Sequence, residues 1–439
     1  MNDKLIFLAK SYNLVVGDKF ELFYRGVLKV INPYNFYIKI ECLKGTPYPR
    51  YYTFTPKVED VGEYELKLSL VNDYGQTIEE GYTKLIVVNP QRPDKKTNIL
   101  CIGDSLTASG AWTMEGYRRF TRNDGGTDLK PLGLGYNDTI NLIGLCKKKL
   151  DDEEIGFEGY GSWQWKTFCT EGLASKTSSL WVETNHDKDE NDQHSLWMNN
   201  NTLWILETIE EKRLKFKRGP NHTEIDPVLT DTFINVSGGV HLDDIVVTSK
   251  EYEAGNPFWN KEKNDIDLAE YIRKNDFEVP DYVYILLTWN GLYQPYKKDF
   301  PIHLEYATHL LDEIHRAFPD CKIRCLGNEL SSVTGGIPAN YGAHGPYSDM
   351  YGTLSTAFYY NEWLESLCLS DKYKDYVEYL DVKGQFDLEN NMPYVELNVN
   401  SRNPLKEKVG SNGVHPTLNG YMQIGDVFYR SLVKELCKK

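Results

Sequence analysis

Apolar and polar residues alternate in short stretches along the first 92 residues, and turn residues separate the stretches. A period of two places successive side chains on opposite faces of an extended chain, which is typical of half-buried β-strands. Strands at this spacing predict an antiparallel sandwich. The candidate strands are residues 20–24, 36–40, 51–55, 64–70 and 82–88.

One short motif refines this prediction. Residues 60–64 read D-V-G-E-Y at the start of a candidate strand, which is similar to the tyrosine corner of immunoglobulin-like folds. We therefore expect an immunoglobulin-like β-sandwich over residues 1–92. The polar, proline-containing segment 89–96 is interpreted as a linker.

From residue 97 the pattern changes to strands that alternate with helices. Short apolar runs predict buried strands, and apolar residues at helical spacing predict helices between and after them. This order is typical of a doubly wound α/β sheet with helices on both faces. The candidate strands are residues 99–102, 282–287, 322–326 and 377–381, and the candidate helices are residues 306–318, 357–369 and 418–436.

A third region interrupts the α/β pattern at residues 166–265. Strand-like runs divided by Asn, Gly and Pro predict a β-rich insertion within the α/β domain, which we place at residues 97–439. The candidate strands of the insertion are residues 203–209, 213–217, 232–236 and 244–248.

Charge and cysteine usage narrow the class of protein. A formal net charge of −15 argues against a nucleic-acid surface, which needs clustered Lys and Arg. The eight cysteines show no metal-ligand or disulfide spacing, so neither structural zinc nor a disulfide framework is indicated. The acidic stretches 187–192 and 243–244 are interpreted as solvated loops.

The N-terminal apolar patch is too short for a signal peptide or a membrane span, which favours a cytoplasmic protein without membrane contact. Virion association and non-classical release remain alternatives.

The candidate chemistry lies at two distant points of the chain. The apolar run 99–102 ends at Gly103, Asp104 and Ser105, and a serine just past a buried parallel strand lies where open α/β sheets bind ligands. Far along the chain, His415 follows the sequence N-G-V. A serine and a lone imidazole indicate a nucleophile with its general base. The alternatives are a helix N-cap for Ser105 and a satisfied core histidine for His415.

Four segments, in order, carry a family resemblance: G-D-S-L at 103–106, E-G-Y-G-S-W at 158–163, L-T-W-N-G at 287–291 and N-G-V-H at 412–415. This order resembles the SGNH/GDSL hydrolases, a superfamily of esterases and acetylhydrolases. The resemblance covers roughly residues 97–150 and 280–436. It implies a flavodoxin-like α/β/α three-layer domain, with the β-rich insertion outside it.

The resemblance implies a role for each matching residue. Ser105 would be the nucleophile and His415 the base that takes its proton. The oxyanion hole would comprise the backbone N–H of Ser105, a backbone N–H at Ser162 and the side chain of Asn290. Ser162 stands where the family has Gly, so its neighbour Gly161 is the second candidate. The alternative for Asn290 is a residue that caps a strand end.

Asn412 is the largest departure from the family motif D-x-x-H, whose Asp orients the histidine. Three alternatives are open. Asn412 Oδ1 accepts the histidine N–H; another carboxylate or a main-chain carbonyl holds the ring and leaves a Ser–His dyad; or the site is inactive and retained for binding. The surrounding residues resemble an Asn-bearing subgroup found in phage and prophage tail proteins and gut Firmicutes.

Aromatic residues near the motifs suggest a sugar-binding pocket. Flat aromatic rings beside an ester-cleaving serine suit stacking on sugar rings, and the alternative is core packing. Asp104, Trp163, Trp289 and Tyr341 are the candidate pocket residues, and Trp112 and Trp165 also fall near motif segments.

The sequence therefore predicts a serine ester hydrolase that removes O-acetyl groups from a carbohydrate through an acyl-serine intermediate, without a metal or an organic cofactor. Its partner would be an acetylated carbohydrate or another small ester, and a homo-oligomer is left open. The alternative is a glycan- or partner-binding module of a phage tail or cell-surface assembly, with a vestigial hydrolase site.

Overall fold

The computed structural model of the 439-residue chain describes residues 4–127, 129–171, 176–185, 193–199, 202–219, 232–236, 241–253, 255–331 and 336–436. The chain forms two compact units. The first comprises Met1–Gln164, Asp276–Glu305 and Ile314–Lys439, and the second comprises Trp165–Asn275 and Tyr306–Glu313. Helices and several β-sheets occur together, so the chain is a mixed α/β protein.

The N-terminal strands form two sheets, ordered β1-β7-β6-β3 and β2-β5-β4. The elements are β1 (Ser11–Val15), β2 (Phe20–Phe23), α1 (Tyr24–Val27), β3 (Tyr37–Cys42), β4 (Thr46–Pro47), β5 (Tyr51–Phe54), β6 (Gly62–Val71) and β7 (Thr77–Val88). Strands occur at all five predicted positions, because alternate apolar side chains such as Leu66 and Leu68 enter a buried core. The pattern missed β1, which pairs in parallel with β7, so the pairing is not antiparallel throughout.

Buried polar contacts join these N-terminal strands to the α/β residues of the same unit. The carboxylate of Asp18 accepts hydrogen bonds from Arg119 at 2.6 Å and from Arg430 at 2.7 Å. Tyr12 Oη donates to Asp381 at 2.6 Å. Because a buried charge is tolerated only when it is paired, these contacts fix how the sheets meet the helices that carry the arginines.

The α/β pattern starts with a strand that is buried except at its second residue, and further strands and helices follow. They are β8 (Thr97–Gly103), α2 (Ser105–Ala108), α3 (Ala111–Thr121), β9 (Ile140–Ile143), β10 (Cys146–Leu150) and β11 (Glu153–Gly159). The prediction identified β8 from its apolar run but missed β9, β10 and β11. Strand β10 carries three consecutive lysines, so it lacks the apolar run that marks a buried strand.

The second unit is built mainly from antiparallel strands, in the order β17-β16-β13-β14-β15-β12-β18. Its elements are α4 (Trp165–Phe168), β12 (Lys176–Glu183), β13 (Leu196–Asn199), β14 (Thr202–Glu210), β15 (Arg213–Arg218), β16 (Phe233–Asn235), β17 (His241–Leu242), β18 (Val246–Glu253), β19 (Trp259–Asn260), β20 (Asp265–Ile266) and α5 (Leu268–Lys274). Its core contains Trp197, Trp204, Phe216 and Phe233.

The remaining elements return to the first unit, except that residues 306–313 of α6 belong to the second. They are β21 (Tyr282–Leu286), α6 (Pro301–Ala317), β22 (Lys322–Leu326), α7 (Gly336–Tyr341), α8 (Met350–Cys368), β23 (Val377–Leu380), β24 (Tyr394–Asn400), β25 (Asn403–Gly410) and α9 (Leu418–Leu436). Helices α6, α8 and α9 overlap the three predicted helices. Within the described residues, no helix is both long and apolar enough to span a membrane.

The sheet that positions the candidate site has the order β10-β11-β8-β21-β22-β23. Strands β11, β8, β21, β22 and β23 run parallel, and β9 pairs with the first half of β8. The carboxyl ends of these parallel strands therefore meet at one edge of the sheet, which we call the carboxyl edge. Strand β8 lies between β11 and β21, so the segments that follow these three strands come together there.

Candidate active site

At the end of strand β8, neighbouring atoms lie so close to the backbone of Gly103 that no other residue fits there. A Cβ atom on Gly103 would lie 2.0 Å from Thr107 Oγ1 and 2.5 Å from the carbonyl oxygen of Leu286. The first turn of α2 can therefore fold directly over the strand end. Asp104 is the N-cap of α2, with its Oδ1 accepting from the backbone N–H of Leu106. The N-cap position is thus occupied by Asp104, and Ser105 is the first helical residue.

Asp104 also ties two neighbouring strand ends together. Its Oδ2 accepts from the backbone N–H and from the hydroxyl of Thr288, both at 2.9 Å. The side chain is buried, and this burial raises the pKa of the Asp104 carboxyl to about 6, against the lowering effect of its hydrogen bonds. The structure thus places Asp104 beneath the segment that leads to Asn290.

Ser105 and His415 meet at the carboxyl edge. His415 Nε2 lies 2.8 Å from Ser105 Oγ, within hydrogen-bond distance. Burial lowers the pKa of the His415 imidazole from its ordinary value, which favours the neutral form of the ring. A neutral imidazole whose Nε2 faces a hydroxyl can accept the proton of that hydroxyl.

The loop that carries His415 is held by two asparagine side chains. Asn412 Oδ1 accepts from the backbone N–H groups of Val414 and His415, both at 2.9 Å. Asn340 Oδ1, in α7, accepts from the backbone N–H of Gly413 at 3.0 Å. The amide oxygen of Asn412 therefore shapes the loop backbone. In the described part of the chain, Ser105 Oγ is the hydrogen-bond partner of the His415 ring.

Asn290 follows β21 and reaches across the end of β8. Its Nδ2 donates to the backbone carbonyl of Trp163 at 2.9 Å, and Trp163 lies in the turn that follows β11. The backbone N–H of Tyr160 in the same turn donates to the carbonyl of Gly103 at 3.0 Å. Because an amide NH2 group has two hydrogens, Asn290 keeps a second donor beyond the one that Trp163 accepts.

The turn after β11 contains both backbone candidates for the oxyanion hole. Ser162 has φ +64°, a left-handed conformation that favours glycine. Its neighbour Gly161 does not have a positive φ, and a Cβ atom there would meet nothing within 4 Å. The position that adopts the glycine-like conformation is therefore Ser162. Both residues are exposed.

Most of the aromatic residues near the motifs are buried. Trp112, Trp163 and Trp289 are at most 7% exposed, and Trp165 is buried within the second unit. Trp163 stacks on Tyr160 with ring centroids 4.3 Å apart. Tyr341 differs, with 38% of its surface exposed. Core packing thus accounts for the tryptophans, and Tyr341 remains available to a ligand.

One buried carboxyl near the site escaped the sequence analysis. Glu329, which follows β22, accepts a hydrogen bond from the indole N–H of Trp289 at 2.9 Å, and its Oε2 is buried without a partner within the described residues. Burial and the nearby Asp104 raise the pKa of Glu329 well above its usual range. The sequence carries no signal for this role, because a glutamate after a strand is usually exposed.

The structure adds no candidate metal centre in the part of the chain that it describes. No group of three or more His, Cys, Asp or Glu residues there is arranged to hold an ion. The acidic stretch at 187–192 lies outside the described residues. Asp243 and Asp244 follow the short strand β17 in the second unit.

Comparisons with known proteins give weak likenesses. Neither a family model nor a curated protein matches the chain. Among solved structures, a peptidoglycan O-acetylesterase is 12% identical to this chain, with a TM-score of 0.32. The match covers 78% of this chain and 92% of the O-acetylesterase chain. A possible lipase from Chitinophaga pinensis is 14% identical, with a TM-score of 0.26, covering 38% of this chain and 77% of its own.

A third likeness is to SGBP-B of the Bacteroides ovatus mixed-linkage glucan utilization locus, solved with a mixed-linkage heptasaccharide. It is 8% identical, with a TM-score of 0.14, covering 56% of this chain and 43% of its own. Because the identities and TM-scores are all low, these likenesses assign neither a family nor an activity to this chain.

Proposed function

We propose that the protein is a serine ester hydrolase, with Ser105 as nucleophile and His415 as general base. The observation that carries this proposal is the 2.8 Å contact between Ser105 Oγ and His415 Nε2 at the carboxyl edge. A serine hydroxyl is a weak nucleophile until a base within hydrogen-bond distance takes its proton. The lowered pKa of His415 supports a neutral base at neutral pH.

The reaction follows from these positions. Ser105 Oγ attacks the ester carbonyl carbon while His415 Nε2 takes the hydroxyl proton, and the carbonyl oxygen becomes an oxyanion. Asn290 Nδ2 and the backbone N–H groups of Ser105 and Ser162, or of Gly161, are the donors proposed for that oxygen.

Three further proton transfers complete the cycle. The His415 imidazolium returns its proton to the alcohol oxygen as the C–O bond breaks, which leaves an acyl-serine ester. A water molecule then gives a proton to His415 and attacks the acyl carbon, and that proton returns to Ser105 as the acid leaves. No cofactor enters these steps.

The orientation of His415 is proposed to come from the loop rather than from a carboxylate. The pKa of His415 is lowered by burial, and no carboxylate in the described part of the chain raises it. Asn412 Oδ1 already accepts two backbone N–H groups. These contacts favour a Ser–His dyad. They differ from the dyad left open by the sequence, in which another carboxylate or a main-chain carbonyl holds the ring, because Asn412 acts on the backbone of the loop.

We also propose a more specific fold for each part of the chain. Among the parallel strands, whose order is β11-β8-β21-β22-β23, the first strand of the α/β region, β8, lies second, as in doubly wound folds with ligand sites at the carboxyl edge. This order supports an SGNH-type α/β/α domain at residues 97–439 with the β-rich insertion at 166–265. The two N-terminal sheets support an immunoglobulin-like sandwich at residues 1–92.

We further propose that the substrate is an O-acetylated carbohydrate. The exposed ring of Tyr341 supports a sugar ligand, and the acetyl group is inferred from the motif resemblance. The competing hypothesis, a binding module with a vestigial site, predicts sugar binding without turnover.

Turnover of p-nitrophenyl acetate by the wild type, Ser105→Ala and His415→Gln tests the activity. We expect both variants to lose nearly all turnover, and His241→Gln, an exposed histidine of the second unit, to retain it. A serine-reactive fluorophosphonate should label the wild type and not Ser105→Ala. Equal turnover and equal labelling in wild type and Ser105→Ala would refute the proposal.

A further inference from the structure

A continuous set of aromatic rings leads from the candidate active site to the surface. Trp289, the residue before Asn290, stacks on Tyr293 with ring centroids 5.9 Å apart. Tyr293 then packs edge-on against Tyr341 at 5.9 Å and against Tyr347 at 5.5 Å. The buried tryptophan thus supports an outer group of rings.

The outer rings form a nearly parallel pair. Tyr341 and Tyr347 stack with centroids 5.1 Å apart and an angle of 29° between their planes. His344 packs edge-on against Tyr347 at 5.8 Å. We call Tyr293, Tyr341, His344 and Tyr347 the aromatic cluster. Its rings hold one another in offset and edge-on arrangements, which fixes their orientation before any ligand binds.

The aromatic cluster is attached to both sides of the candidate active site. On one side, Tyr293 stacks on the neighbour of Asn290. On the other side, Tyr341 ends helix α7, and Asn340 of that helix binds the backbone N–H of Gly413 in the His415 loop. A ligand that covers Tyr341 therefore lies beside the loop that positions the base.

The exposure and chemistry of the rings identify the kind of ligand. Tyr341 is 38% exposed and His344 is also exposed, while Tyr293 and Tyr347 are half-buried. An exposed aromatic face attracts the C–H groups of a pyranose ring, and neighbouring phenol, imidazole and amide groups can bond to sugar hydroxyls. The net charge of −15 disfavours a nucleic acid as the stacking ligand.

We propose that the aromatic cluster is a sugar-binding subsite that holds a pyranose ring of the substrate while its acetyl group lies at Ser105. This inference rests on the proposed function and specifies which residues select the alcohol part of the ester. The ring stacks on Tyr341, and Tyr347 supports Tyr341 from behind.

The kinetic test compares two esters, p-nitrophenyl acetate without a sugar and glucose pentaacetate with one. Tyr341→Ala should raise KM for glucose pentaacetate about three- to tenfold, clearly more than it changes KM for p-nitrophenyl acetate. Tyr341→Trp should retain the wild-type KM for both. Tyr74→Ala, which removes an exposed tyrosine from an N-terminal turn, is the matched control and should change neither. Equal changes for both esters, or none for either, would overturn the subsite.

A binding measurement separates this inference from the proposed function. Calorimetry with Ser105→Ala and an acetylated xylo-oligosaccharide reports binding without turnover, and adding Tyr341→Ala should weaken it about three- to tenfold. Binding of this kind by a protein that hydrolyses neither ester would support the subsite and refute the hydrolase. Turnover of p-nitrophenyl acetate with no saturable sugar binding would support the hydrolase and refute the subsite. Binding of a single-stranded oligonucleotide at Tyr341 in place of the sugar would also refute the subsite.

Discussion

The indole N–H of Trp289 donates a hydrogen bond of 2.9 Å to the carboxyl group of Glu329. Both side chains are almost fully buried, and Trp289 directly precedes Asn290. The contact therefore holds the segment that presents the proposed oxyanion donor, although Glu329 itself does not reach the reacting atoms. Glu329 is a positioning residue in this proposal.

Replacement of Glu329 tests this positioning. Glu329→Leu removes the acceptor, and we expect kcat to fall about 10- to 100-fold with little change in KM, because a small displacement of Asn290 weakens transition-state contacts. Glu329→Gln keeps an oxygen acceptor and should restore most of kcat. The indole 15N–1H resonance of Trp289, assigned with Trp289→Phe, should shift in the Leu variant and stay close to wild type in the Gln variant. Identical kinetics in the two variants would exclude the role.

Removal of the Asn290 side chain tests the oxyanion donor directly. Asn290→Ala should lower kcat about 10²- to 10³-fold with nearly unchanged KM, since the donor acts on charge that develops in the transition state. Steady-state kinetics with p-nitrophenyl acetate measures both constants. A rise in KM at constant kcat would instead assign Asn290 to ground-state binding.

Asn412 is expected to act through the backbone of the His415 loop. Asn412→Ala leaves two N–H groups without their acceptor, which should cost about 1–3 kcal/mol of stability and lower kcat. Asn412→Asp keeps the acceptor oxygen and should retain the fold. Its negative charge should raise the pKa of His415 and move the acidic limb of the kcat/KM profile to higher pH. Thermal unfolding and pH–rate profiles check both results, and an unchanged Asn412→Ala protein would contradict them.

The pH dependence of the wild type follows from the lowered pKa of His415. Only the neutral imidazole can accept the Ser105 proton, so kcat/KM should be level at neutral pH and fall only below about pH 6.5, the ordinary pKa of histidine. An NMR titration of the His415 ring, assigned with His415→Gln, should give the same pKa as the acidic limb. A midpoint above pH 7 would show that an unrecognised negative charge faces the ring.

The buried carboxyl groups of Asp104 and Glu329 predict that the folded state becomes less stable as the pH rises. The pKa of Asp104 is raised to about 6 and that of Glu329 is raised well above its usual range, so the folded state binds these protons more tightly than the unfolded state. Their contribution to the free energy of unfolding is present below about pH 4 and is lost as pH rises through the folded pKa values. Glu329→Gln removes one titration, so its stability relative to wild type should improve from pH 5 to pH 8. Urea unfolding at several pH values measures this difference, and a constant difference across that range would contradict the prediction.

The sequence identified the elements whose patterns are local. The apolar run of β8, the later buried strands and helices α6, α8 and α9 were all visible, because burial of a strand or a helix face requires apolar residues at fixed spacing. Strands β9, β10 and β11 were not visible. Strand β10 is largely charged, and the pairing of β9 and β11 with β8, and of β10 with β11, is decided by the chain around them.

The sequence by itself determined which chemical groups are present: a serine after a buried strand, a late histidine, and Asn290 and Asn412 at their motif positions. Only the tertiary structure determined which of these groups contact one another. It placed Ser105 within 2.8 Å of His415, assigned the Asn412 oxygen to two backbone N–H groups and buried Glu329 against Trp289. The physical reason is that parallel strands bring distant segments to one edge, and hydrogen-bond partners across that edge depend on strand order, which no local pattern specifies.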